Sequence, residues 1–203
     1  MTLTPVETKT RASSESLSTV DLHTLTTGEL LTLFKTLEAP TIAEMHGEYS
    51  ASLLKQPTLL ATVIGRLNLN NPLMSGTWLC KAFRPLSASE GRGYNGFRHF
   101  GRITRRFPMQ TLIAPSRYDG RPAYQLVYRA YHSMSGDLHM VDEVRRVAPR
   151  VYLGIGTWGF SSAQRLVPLP FLLTGPDAAY RGDVGKPRAR FELSSEIPAL
   201  NSR

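Results

Sequence analysis

The amino-acid sequence predicts a mainly β protein, an antiparallel β-barrel with short N-terminal helices. Three observations carry this. First, residues 119–160 read DGRPAYQLVYRAYHSMSGDLHMVDEVRRVAPRVYLGIGTWGF, three β-rich runs separated by turn-forming pieces. Asp119-Gly120 is a strong hairpin signal, because Gly accepts the positive φ of a type I′ turn. Ser135-Gly136-Asp137 and Ala148-Pro149-Arg150 punctuate the later runs. Second, the middle run has mixed faces. Side chains alternate along a strand, so His139, Val141, Glu143 and Arg145 share one face and Met140, Asp142, Val144 and Arg146 the other. A sandwich core wants one clean apolar face. A closed barrel with a partly polar lumen fits better. Third, the last run carries Gly154, Gly156 and Gly159, and glycines inside strands supply the bends by which a barrel closes.

The 203 residues imply one domain, placed at residues 26–175, with a disordered polar segment before it (residues 1–25) and a loosely ordered tail after it (residues 176–203). The 41% apolar content is enough for a packed core. No apolar run approaches the ~20 residues of a membrane helix. The N-terminus lacks the apolar stretch of a secretory signal, and Cys80 is the one cysteine. No membrane insertion and a reducing cytoplasm are the expectations. Oligomeric state is left open.

The chain carries 24 basic and 16 acidic residues, a formal charge of +8, so a nucleic-acid partner has to be weighed. The basic residues are scattered. Their densest group is Arg98, Arg102, Arg105 and Arg106 around His99, with no recognition module beside it. The expectation is no specific nucleic-acid partner. A solvated strand surface, or attraction of an anionic small ligand, accounts for the charge instead.

In chain order, Leu30, Leu31, Phe34 and Leu37 fall at helical spacing, with Thr26 or Thr27 as cap and Pro40 as terminator, predicting a helix near 27–38. Thr41 opens a short turn running to Gly47. Leu59, Leu60, Val63, Ile64 and Leu67 predict a second helix near 58–67. Residues 71–85 read as the first long strand, with Trp78, Cys80 and Ala82 on one face and Lys81 and Phe83 on the other. Residues 87–96 read as a polar, glycine-containing loop of the kind that covers a barrel mouth. Two strands follow, 101–107 and 109–116, joined near Pro108. After the meander, VPLPFLLTGP predicts an edge strand at 171–174, because Pro is confined to strand starts and edges.

EMHGEYSASLL at 44–54, GTWLCKAF at 76–83, MVDEVRRVAPRVYLGIGTWGF at 140–160 and PLPFLLTG at 168–175 resemble the GXWXG-type domain family of bacteria and fungi, with its companion C-terminal domain of unknown function. Tyr49 stands where that family has the Trp of its Gly-x-Trp. Lys81-Ala82-Phe83 resembles its Gly-Lys-x-Phe, with Cys80 in place of Gly. Asp142, Arg145 and the Gly154 run resemble its Asp-x-x-Arg element. The likeness covers roughly residues 40–175. By analogy it implies a calycin-like barrel, of the lipocalin and fatty-acid-binding kind.

Metal and nucleophile signals do not stand out. The histidines at 23, 46, 99, 132 and 139 show no ligand spacing, and no GxSxG elbow or P-loop occurs. No metal and no cofactor are expected, and Cys80, flanked by apolar residues, reads as core. What remains is a set of polar groups on the barrel strands. Asp142, Lys81 and His139 are the candidate catalytic residues, with Tyr131, His132 and Glu143 nearby. Tyr49, Trp78, Phe83, Tyr128, Arg145 and Trp158 are the candidate ligand-binding residues. Asp142 shares its face with apolar Met140 and Val144, so its carboxylate needs a partner. Arg145 points to the opposite face, which leaves Lys81 or Tyr128 from a neighbouring strand. Two functions fit. One is the binding of a small, largely apolar molecule in the barrel. The other is a cofactor-independent isomerase, cyclase or hydrolase acting on such a molecule, with Asp142 as acid or base.

Overall fold

The computed structural model describes residues 21–58, 70–71 and 76–201. Of the disordered segment expected before residue 26, residues 1–20 lie outside the described residues, and so does the helix expected near 58–67 from residue 59 onward. Residues 21–25 are ordered: they form a turn in which the Thr24 N–H donates to the Asp21 carbonyl, and Leu22 is buried. Helix α1 spans Thr27–Thr36. It starts there because Thr26 and Glu29 form a reciprocal capping box, each side chain bonding the other's backbone N–H. Its apolar face buries Leu30 and Phe34.

Among the described residues nine strands follow: β1 (Gly47–Leu53), β2 (Asn70–Asn71), β3 (Gly76–Pro85), β4 (Glu90–His99), β5 (Arg102–Pro115), β6 (Pro122–Val127), β7 (Val141–Ala148), β8 (Val151–Thr157) and β9 (Leu169–Ala178). Each of β3 to β8 pairs antiparallel with the next. β1 then pairs with both β9 and β3, closing a barrel of eight strands, while the short β2 extends the same edge of β3. The architecture is a closed antiparallel barrel with few helices, as the meander predicted.

Four local expectations are corrected. Residues 90–96 are not a loop: they belong to β4, between β3 and β5. Its glycines are there because the strands run close together. A Cβ on Gly93 would lie 2.3 Å from the Ala82 carbonyl oxygen. The two strands expected around Pro108 are one, β5, with Phe107 at φ 53 marking an irregularity inside it. The last strand is not an edge, since β8 and β1 flank it. Proline is tolerated because the nitrogen and carbonyl of a strand residue point the same way. The Pro170 carbonyl accepts from Leu54, just past the end of β1, so the missing N–H falls where that ladder has stopped. Finally, Trp78 does not face away from Lys81. The register shifts between Trp78 and Cys80, and this bulge turns Trp78 onto the inner face with Lys81 and Phe83.

The apolar residues form three clusters. The barrel interior holds Tyr49, Trp78, Phe83, Phe97, Met109, Tyr124, Leu126, Val144, Tyr152, Phe171 and Leu173, among others. Outside, α1 lays Leu30 and Phe34 against Leu153 and Ile155 of β8. Residues 176–201 carry their own contacts, contrary to the expectation of a loose tail: Ile197 packs against Ala114 and Val127, and Glu196 is 2% exposed.

Candidate functional site

The barrel register sets the site. Lys81 lies directly opposite Asn95 on β4. Asp142 lies opposite Leu126 on one side and Gly156 on the other. Tyr128 opens the 3-10 turn that follows β6. All four side chains converge inside the barrel. The Lys81 ammonium donates to Asp142 Oδ2 at 2.8 Å, to the Tyr128 hydroxyl at 2.5 Å and to Asn95 Oδ1 at 3.0 Å. Tyr128 donates to Asp142 Oδ2 at 2.9 Å and accepts from Asn95 Nδ2 at 3.2 Å. Asn95 Oδ1 also accepts from the Trp78 indole N–H at 3.2 Å, and Asn95 Nδ2 reaches the Phe107 carbonyl at 3.4 Å. The two partners expected for Asp142, Lys81 and Tyr128, are the two that meet it.

The pair is buried, with 4% of the Lys81 and 3% of the Asp142 side chain exposed. The ammonium is also surrounded by ring faces, 5.3 Å from Trp78, 5.3 Å from Tyr128 and 5.0 Å from Phe171, which favour a cation in a dry site. Burial, and then the Asp142 charge beside it, push the Tyr128 phenol well above its ordinary value. Tyr128 therefore stays a neutral hydrogen-bond donor across the physiological range. Desolvating two charges costs energy that their attraction does not always return.

The two ends of the interior differ. At the end where β1 begins, Tyr49, Phe83, Tyr124, Val144, Tyr152 and Leu173 pack with almost no exposure, and Ile42 and Met45 from the preceding turn cover them. Tyr49 meets Phe83 at a tilt and Tyr152 edge to face, with ring centroids 5.5 and 5.6 Å apart. The opposite end holds Leu53, Phe107 and Met140, which are partly buried, next to Trp78, Phe171 and the Lys81 group. The polar cluster thus sits toward the end whose apolar side chains are partly exposed.

The other candidates lie elsewhere. Tyr49 stands directly opposite Lys81 in the β1–β3 register, and Phe83 shares the inner face of β3 two residues on, yet both turn their rings to the closed end and neither bonds the polar group. Tyr49 spends its hydroxyl on the Glu44 carbonyl. His139, expected on the strand beside Asp142, precedes β7 at φ 54 and meets buried Glu196 instead, its Nδ1 2.7 Å from Oε1. Arg145 faces outward, as alternation requires. It is fully buried beneath α1, where it forms a two-pronged pair with Asp119 at 2.7 Å in each prong. Trp158 lies past the end of β8 and is 39% exposed. Glu143 also faces outward and bonds Ser116 and Arg117. Sequence reading missed Asn95, which sat in the segment taken for a loop, and Phe171, whose ring fills the space over Gly154. Among the described residues no three His, Cys, Asp or Glu side chains gather as a metal ion needs, and no helix is long and apolar enough to cross a membrane.

Fold and site define a closed eight-stranded antiparallel barrel with a buried lysine–aspartate pair in its interior, an architecture compatible with ligand binding. No family model matches the chain, and no curated protein matches it. Among solved structures, the crystal structure of a protein from Thermomonospora curvata aligns at 17% identity with a TM-score of 0.47, covering 72% of this chain and 85% of that one.

Proposed function

We propose that this barrel binds a small, largely apolar molecule at its partly exposed end, with the polar end of the ligand against the Lys81–Asp142–Tyr128 group. One observation carries the reading: a buried ion pair, itself expensive to desolvate, lies among the rings of Trp78, Tyr128 and Phe171 in an otherwise apolar interior, with the partly exposed Leu53, Phe107 and Met140 packed on the same core. Trp78 and Tyr128 are the ligand-binding aromatics on this reading, and Lys81 and Asp142 the polar contacts. The same proposal takes the fold as calycin-like and the chain as a relative of the GXWXG-type family, on the motifs that carry Lys81 and Asp142. It also takes the protein to work in the cytoplasm, without cofactor or specific nucleic acid. Arg105 of the basic group, for example, is engaged by the carbonyls of Arg181 and Gly182.

A second reading, a cofactor-independent isomerase, cyclase or hydrolase, has its own support. The Tyr128 hydroxyl touches both Lys81 and Asp142, which is a short path for passing a proton between a bound molecule and the pair. Native mass spectrometry of the purified protein tests the binding reading. A retained small molecule, released on unfolding, supports it. A bare chain mass, together with no saturable binding of apolar probes, counts against it. Turnover of the released molecule decides between carrier and enzyme.

A further inference from the structure

The hydrogen-bonding capacity of the barrel group is almost used up, and what is left has one sign. Lys81 has three ammonium protons, and Asp142, Tyr128 and Asn95 take them. Tyr128 gives its one proton to Asp142 and uses both lone pairs to accept from Lys81 and Asn95. Asn95 has both kinds of group engaged. The Trp78 N–H is spent on Asn95. Each of these side chains is at the limit of what it can donate or accept. Asp142 is different. Both of its bonds fall on Oδ2. Among the described residues no donor bonds Oδ1, and a carboxylate oxygen accepts two hydrogen bonds. Oδ1 borders the inner face of Gly156, a residue with no side chain of its own. A Cβ built there would have Asp142 Oδ1 at 3.0 Å, the Leu169 carbonyl oxygen at 3.4 Å and Asp142 Cγ at 3.8 Å as its nearest neighbours.

We infer that the ligand meets this site with a hydrogen-bond donor, a hydroxyl or amine on an otherwise apolar molecule, bound to Asp142 Oδ1 beside Gly156, and that a carboxylate-tipped ligand is refused. This rests on the binding reading above. A buried lysine in an apolar barrel invites an anionic ligand. Here the Lys81 charge is balanced by Asp142 at 2.8 Å and its protons are all committed. An anion would have to displace Asp142, leaving that carboxylate buried without its cation, or sit beside it and repel it. A donor needs neither change. It adds a hydrogen bond to a charged acceptor, among the stronger kinds available.

The test compares decan-1-ol with decanoate, matched in chain length, on a Trp158→Phe variant. The chain has two tryptophans, so this substitution leaves Trp78, bonded within the site, as the reporting fluorophore. The expected result is a saturable shift of Trp78 emission with decan-1-ol, at least ~10-fold tighter than with decanoate. Adding Gly156→Ala, which sets a methyl 3.0 Å from Oδ1 without changing charge, should weaken decan-1-ol about 10-fold in a protein whose circular dichroism shows it still folded. Decanoate binding as tightly as decan-1-ol, or more tightly, overturns this inference and leaves the binding reading standing. Unchanged decan-1-ol affinity in a folded Gly156→Ala protein also overturns it, because the donor then lies elsewhere. If neither molecule moves Trp78 emission, the binding reading falls and this inference with it.

Discussion

The Lys81 ammonium and Asp142 Oδ2 lie 2.8 Å apart, from strands 61 positions distant in sequence, and both side chains are almost wholly withdrawn from water. Removing one charge strands the other. Asp142→Asn is therefore expected to cost about 3–5 kcal/mol. The double variant Lys81→Met/Asp142→Asn should recover much of that, since no lone charge remains. Urea melts of the single and double variants measure the coupling. Parental stability in Asp142→Asn would show that the charge is not buried in solution.

Arg145 and Asp119 give the contrasting case, a fully buried arginine paired with a partly exposed aspartate outside the barrel. Arg145→Met should cost about 3–5 kcal/mol, and Arg145→Lys about 1–3 kcal/mol, because an ammonium cannot reproduce the two-pronged contact with Asp119 and the bond to the Phe34 carbonyl together. Ligand affinity should not change in Arg145→Lys. Altered affinity would mean that the pair communicates with the interior.

Acid titration should expose the same pair. Burial alone would raise the Asp119 carboxyl. Hydrogen bonds from Arg145 and the Arg121 N–H, with the two guanidinium charges, outweigh it and hold the group below its ordinary value. The unfolded carboxyl titrates near 3.9. The stability from this pair is thus fully present above that pH and fades as pH falls through the lower folded value. Asp119→Asn should flatten the acid limb of Tm against pH. An unchanged limb would assign acid unfolding to other carboxylates.

Alkali should act through tyrosine. All eight tyrosines are pushed above their ordinary value, in every case chiefly by burial, with Tyr49 and Tyr180 raised to about 12. The unfolded chain loses its phenol protons near pH 10, so stability is intact below that pH and falls as pH rises past it. Phenolate absorbance and loss of folded circular dichroism should therefore rise together. A tyrosine titrating near pH 10 with the fold intact would contradict the burial.

Cys80 should react slowly. Burial, and next the Glu48 charge, raise its thiol to about 11, so little thiolate exists at pH 8. Iodoacetamide should label the folded protein far more slowly than the urea-unfolded chain. Equal rates would mean that the β3–β4 contact opens readily.

Much of this was legible in the sequence, and the failures share a cause. Periodicity and turn chemistry are local, so the meander and the capped α1 could be read; Gly120 does take a positive φ, but the connection spans residues 116–121 and is not the two-residue type I′ turn expected. Strand alternation set Asp142 against Arg145 and directed Asp142 to partners on other strands. Irregular backbone could not be read. The bulge after Trp78 reverses one face of β3, and the positive φ of His139 takes it off the strand. The glycines of β4 looked like a loop because the backbone they lie against, at Ala82, comes from another strand. Nothing near Glu196 in the sequence foretells its burial against His139, because the partners that hold it come from distant segments.

β1 has no strand partner close to it in sequence. It is held by β3 on one side and β9 on the other, Leu53 pairing with Phe171. A chain emerging from the ribosome presents β1 early and supplies its second neighbour only after nearly the whole barrel has been made. Until then the strand has one edge bare and the ring cannot shut. Folding of this protein is therefore expected to be a late event, gated by a contact of high sequence separation and slow for its size, with the polar group of Lys81 and Asp142 among the last parts of the interior to lose its water.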